Sequence, residues 1–183
     1  MVTLAQKLQC TSPKVPLLRK AQRLGICDIH QAMELAVMRG CDHYRREEVT
    51  GAPDPGESAL SNVELAILLL LGEMAYEPNA IRIAAQLLSS VRHTPSDIVR
   101  KAIQNRVERP LSHIARAGCV HDKNNTGFWQ EIIKGLGRTE GADEPHLPHY
   151  TRFISSAGYK RGGGVHDPVW LRIRGDSAHE KNL

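Results

Sequence analysis

ALSNVELAILLLLGEMAYEPNAIRIAAQLLSS, residues Ala59 to Ser90, is the stretch whose reading decides the fold. It predicts two helices joined by a short turn. Ser61 followed three residues later by Glu64 is the capping-box pattern, in which each side chain accepts from an orphaned backbone N–H at the helix start. Leu60 and Leu65 occupy the positions of a hydrophobic staple around that cap. The run Leu65 to Leu71 is apolar all round, as in a helix buried on several sides. It is far shorter than the roughly 20 residues needed to span a bilayer. After the turn Gly72 to Tyr76, Pro78 suits a first helical turn, where its missing N–H is not needed. Ile81, Ala84, Ala85 and Leu88 then form one amphipathic face. The expectation is a central helical hairpin.

Working outward, Val2 to Gln9 suggests a short helix, and Leu17, Leu18, Ala21 and Leu24 make a second apolar stripe closed by Gly25. Asp28 is a plausible N-cap for a helix with Ile29, Ala32, Met33, Ala36 and Val37 at helical spacing and Gly40 as its stop. Residues 47–59, rich in acid, proline and glycine, read as a loop. Thr94-Pro95-Ser96-Asp97 is a box-like start for a helix facing inward through Ile98, Ala102 and Ile103. Pro110 opens a further helix with Leu111, Ile114 and Ala115 inward and Gly118 as its stop. Asp122 to Thr126 is a polar turn, and Phe128, Trp129, Ile132, Ile133 and Leu136 form a last stripe ended by Gly137. Beyond it the texture changes: 138–148 reads as loop, Thr151–Ser155 and Val169–Arg174 as short strands. The fold class expected is mostly α, an irregular multi-helix bundle around the central hairpin, with a short β-hairpin or extended C-terminal arm. Its parts are a helical domain 1–137 (N-terminal unit 1–46, acidic loop 47–59, core helices 60–137), an arm 138–175 and a tail 176–183.

With 183 residues, 41% apolar and 24% charged, the chain suits one globular domain with or without a small appendage. The N-terminus lacks the charged-then-apolar pattern of a secretory signal. Cys10, Cys27, Cys41 and Cys119 are scattered, which favours reduced thiols and a cytoplasmic location over a disulfide framework.

Charge is uneven. Glu47 to Glu77 holds seven acids and no lysine or arginine, whereas Arg92 to Arg116 holds six bases against two acids. Tyr150 to Gly175 holds five bases against one acid, and four of the eight aromatic residues. Bases interleaved with rings on an extended segment are what single-stranded nucleic acid requires: cations displace counterions from phosphates, and ring faces stack on bases. The candidate nucleic-acid-binding residues are therefore Arg152, Tyr159, Lys160, Arg161, Trp170, Arg172 and Arg174. The competing expectation is that Phe153 and Trp170 merely anchor the arm, with its arginines solvated or paired to the acidic region. A helix-hairpin-helix reading of residues 60–90 is disfavoured by Glu73 and Glu77 at its turn, which repel phosphate, and 77–107 carries no distinctive helix-turn-helix signature.

Cys27/His30, Cys41/His43 and Cys119/His121 have the atom types of a zinc site, but their spacing brackets a well-patterned helix, and packing explains cysteines equally well. His146, His149 and His166 are the best cluster for acid–base chemistry and, with Tyr150 and Arg152 nearby, carry the alternative of a small hydrolase or transferase. No phosphate-binding glycine loop, nucleophile elbow or zinc-protease motif accompanies them. The expectation is a non-enzymatic nucleic-acid-binding or accessory protein with no cofactor, no metal and no membrane partner. A helical protein–protein interaction module, as homodimer or adaptor, is the alternative.

Overall fold

The structure is a computed structural model and describes residues 15–41, 54–71, 77–90, 92–137, 154–155 and 169–174. The described residues are mostly helical: α1 (Pro16–Arg23), α2 (Ile29–Met38), α3 (Asn62–Leu69), α4 (Pro78–Leu88), α5 (Pro95–Asn105), α6 (Glu108–His121) and α7 (Thr126–Leu136), with a 3₁₀ turn at Lys123–Asn125. No helix among them is long and apolar enough to cross a membrane. The helix expected at 2–9, the turn at 72–76 and the tail at 176–183 lie outside the described residues.

Both halves of the capping box on α3 form: the Ser61 hydroxyl accepts from Glu64 N at 3.1 Å, and Glu64 Oε2 accepts from Ser61 N at 3.0 Å. Every residue from Leu65 to Leu71 is buried, so the all-round apolar pattern has its counterpart in burial on all sides. α4 begins at Pro78 and packs on α3; α7 packs on both α5 and α6. Buried side chains from Leu17 to Ile173 join in one hydrophobic cluster.

Two polar knots tie the surface of α3 to its neighbours. Glu64 accepts from Lys20 Nζ at 2.8 Å through both oxygens, and Lys101 Nζ lies 3.6 Å away. The Arg39 side chain, 4% exposed, donates to Asp54 at 2.7 and 3.0 Å, to the Leu60 carbonyl at 2.7 Å and to Asn62 Oδ1 at 3.0 Å. A guanidinium so deeply buried is tolerable because its donors are met by a carboxylate and neutral oxygens in fork geometry. The Arg39 hydrogen bond, aided by the Gly56 N–H, holds the Asp54 carboxyl below its ordinary value despite partial burial.

Several local expectations need correction. α6 does not stop at Gly118 but runs on to His121. A Cβ at residue 118 would sit 2.4–2.5 Å from the Trp129 indole, so the glycine lets α7 press its largest side chain against α6. Pro110 lies at the third position of α6 rather than opening it, still within the turn that has no intrahelical acceptor to lose. Thr94 makes no side-chain cap; Asp97 pairs instead with Arg100, one turn on. α2 buries Leu35 and Glu34 beside Ala32, Met33 and Ala36, and leaves Val37 half-buried. Among the described residues of the two terminal segments, Ile154–Ser155 pairs antiparallel with Val169–Trp170, Ile154 opposite Trp170.

Overpacking makes Gly118→Ala destabilising by about 1–3 kcal/mol or more, read from urea midpoints. Gly127→Ala, where a Cβ meets nothing within 4 Å, should be neutral or stabilising. Burial pushes the Glu64 carboxyl up, but hydrogen bonds from Lys20 and Ser61 and the charges of Lys101 and Lys20 outweigh it, leaving the group below its ordinary value of 4.5. A carboxyl depressed in the folded state contributes stability that is complete above its unfolded pKa and lost as pH falls through the folded one. Between about pH 5 and pH 3 the native chain should therefore lose stability more steeply than Glu64→Gln. Parallel loss in the two proteins would show that the knot contributes nothing.

Candidate functional site

Residues 169–174 cross the C-terminal ends of three helices. Trp170 leads the segment in, 5% exposed, its ring 5.3 Å from that of Trp129 and tilted by 52°. Trp129 is itself met edge-on by Phe128, 4.9 Å away. Three residues on, Ile173 is buried as well, so the segment has two apolar anchors.

Between them lies Arg172. Its Nη2 donates to Asp122 Oδ1 at 2.7 Å, and its Nη1 donates to the Ser89 carbonyl. Ser89 and Asp122 are the C-caps of α4 and α6, so one guanidinium sits at the negative ends of two helix dipoles. Asp122 is 4% exposed, and its other oxygen accepts from the Trp129 indole N–H at 2.8 Å. A carboxylate this buried requires a cation and a donor for its second oxygen, and has both.

The backbone of the segment is held too. Gln86 Nε2 donates to the Arg172 carbonyl at 2.8 Å, and the Ser89 hydroxyl lies 3.2 Å from the Leu171 carbonyl. That hydroxyl also lies 2.8 Å from the Gln86 carbonyl, and its single hydrogen serves one acceptor at a time. The Arg174 N–H donates to the Gly40 carbonyl at 3.1 Å. Gly40 has φ +97°, and a Cβ there would come within 3.1 Å of the Arg174 backbone. The helix-stop glycine of α2 thus doubles as the point of closest approach.

Of the seven residues proposed from sequence, Arg152, Tyr159, Lys160 and Arg161 lie outside the described residues. Trp170, Arg172 and Arg174 are brought into one segment, but in different roles. Trp170 has its ring in the core against Trp129 and offers no open face for a base. Arg172 is committed to Asp122 and Ser89, while Arg174 is exposed. Two further exposed bases flank the segment: Arg92, three residues past Ser89, and Lys123, next to Asp122. The groups that grip the segment, Gln86, Ser89, Asp122 and Gly40, carry no sequence signal beyond turn or helix-end character.

His146, His149, His166 and His43 lie outside the described residues. Cys27 and His30 are exposed; Cys41 is buried; Cys119 is half-buried, its thiol pKa pushed up by that burial. Among the described residues no three His, Cys, Asp or Glu side chains converge as metal ligands. A second surface feature is a groove of about 730 Å³ between α5 and α7, lined by Val99, Ile103 and Gly135 with Arg100, Glu131 and Lys134 at its rim. Ile103, expected to face inward, is 49% exposed there.

Removing one partner of the Asp122–Arg172 pair strands the other in a largely dry site. For a fully buried pair that costs about 3–5 kcal/mol; Arg172 is 28% exposed, so about 1–3 kcal/mol is expected for Asp122→Asn or Arg172→Ala. The protein's two tryptophans are Trp129 and Trp170, so a red shift of intrinsic emission reports loosening of the segment directly. No protein-family model, no curated protein and no solved structure matches the chain.

Proposed function

We propose that the chain is a non-enzymatic, cytoplasmic nucleic-acid-binding or accessory protein, built as a multi-helix bundle around the 60–90 hairpin and using the basic C-terminal arm 138–175. Its ligand is a single strand. Arg152, Lys160, Arg161 and Arg174 neutralise phosphates, joined by Arg92 and Lys123, and Tyr159 supplies the stacking ring. Trp170 and Arg172 serve the same surface indirectly, as its anchor. The observation that carries the proposal is the anchored ladder: Ile154 pairs with Trp170, and Trp170 and Arg172 are fastened to the helices. Tyr159, Lys160 and Arg161 fall between these two paired segments in sequence, and Arg92, Lys123 and Arg174 are exposed bases close in sequence to the groups that hold residues 170–174. The buried acid beneath them, Asp122, is already neutralised by Arg172 and does not oppose a phosphate.

The exposed apolar groove between α5 and α7 favours a second reading, a protein–protein interaction module, as homodimer or adaptor, docking across Ile103. The hydrolase or transferase alternative rests on His146, His149 and His166, which lie outside the described residues.

Fluorescence anisotropy of labelled single-stranded RNA and DNA, titrated at several salt concentrations, tests the proposal. Binding should weaken steeply with salt, and Lys160→Ala/Arg161→Ala/Arg174→Ala should flatten the log–log slope by about 2, at roughly 0.7 per phosphate contact on a single strand. Absence of binding by the folded native chain, or binding indifferent to salt, would discard it in favour of the groove.

A further inference from the structure

The contacts that hold residues 170–174 are those of a peptide in a recognition site. Every group that grips the segment comes from far away in sequence: Gln86 and Ser89 are 86 and 82 residues from their partners, and Asp122 is 50 from Arg172. The cleft receives Trp170 against Trp129, whose own ring fills the space over Gly118, and receives the guanidinium of Arg172 on Asp122. It also reads main chain, through two carbonyls and one N–H. Tryptophan and arginine are the residues that dominate binding hot spots, and main-chain bonds with side-chain pockets between them are how extended peptides are read. Asp122 adds exclusion, because an occupant without a cation there leaves a carboxylate buried and unpaired.

We propose that the cleft formed by the C-terminal ends of α2, α4 and α6 with Trp129 is a peptide-binding site selective for an extended Trp-x-Arg-Ile segment, filled in this chain by its own residues 170–173. The covalent connection contributes effective concentration rather than contacts, so the same sequence supplied in trans competes for the site. This holds whether or not the arm binds nucleic acid. The occupant in trans is the same segment of a second copy of the chain, which carries Trp170, Arg172 and Ile173.

The probe is a labelled synthetic peptide of residues 167–176, titrated by anisotropy into the full native chain and into the full chain carrying Trp170→Ala/Arg172→Ala, which vacates the cleft. The vacated variant should bind in the micromolar range. The native chain should bind about 100-fold more weakly, since an effective concentration on the order of 1 mM competes with a Kd of about 10 μM. A peptide with the position-172 arginine replaced by alanine should lose at least about tenfold, as expected for a lost charge-assisted bond into a buried site. If circular dichroism finds the double variant unfolded, Arg172→Ala alone takes its place, with about tenfold tighter binding than the native chain expected. Light scattering of the native chain checks the source: a dimer that forms as concentration rises and is abolished by Arg172→Ala supports a second copy as donor, and a chain that stays monomeric overturns that source. A folded variant that fails to bind, or that binds the arginine-less peptide equally well, overturns the proposal.

Discussion

A buried carboxylate has to be satisfied, and Asp122 is satisfied chiefly by two groups from different parts of the chain. The Trp129 indole takes one oxygen and the Arg172 guanidinium the other. The first bond orients the ring that fills the space over Gly118, and so sets how closely α7 lies on α6. The second draws a segment fifty residues downstream onto the helix ends. Because the same guanidinium also caps α4 through the Ser89 carbonyl, α4, α6, α7 and the C-terminal segment depend on one charge balance. Breaking it leaves a charge in low dielectric, a larger penalty than any single surface contact could offset.

The rest of the helical body is held by more ordinary forces. α3 has no polar face along Leu65–Leu69, so its environment must be apolar on every side, and α1, α2, α4 and α5 pack against it. Its N-terminal end, where polar groups reappear, is fastened by Glu64 to Lys20 and Lys101, and by Arg39 through Leu60 and Asn62. The first knot joins α3 to α1 and α5, and the second joins it to the C-terminal end of α2.

The C-terminal segment has two natures. Its apolar and guanidinium anchors belong to the core, while the bases beside them, Arg174, Arg92 and Lys123, remain at the surface. A cluster of aromatic and basic residues in one short stretch of sequence looks like a single binding motif. In three dimensions Trp170 and Arg172 turn inward, and Arg174 stays outside.

Sequence by itself determined what local chemistry can determine. The capping box at Ser61, the proline starts at Pro78 and Pro95, the N-cap at Asp28 and the stops at Gly40 and Gly137 are short-range rules, and each formed. The all-round apolar run of α3 likewise announced its own burial. Only the tertiary structure decided the meaning of Gly118, which resembles a helix stop until the Trp129 ring is seen in its place. Asp122 had the look of a polar turn residue, and nothing local marks it as the acceptor for a ring seven residues away and a cation fifty residues away. Periodicity and capping act within a turn or two of helix, whereas partners for a buried charge are chosen by whichever chain segments packing brings together.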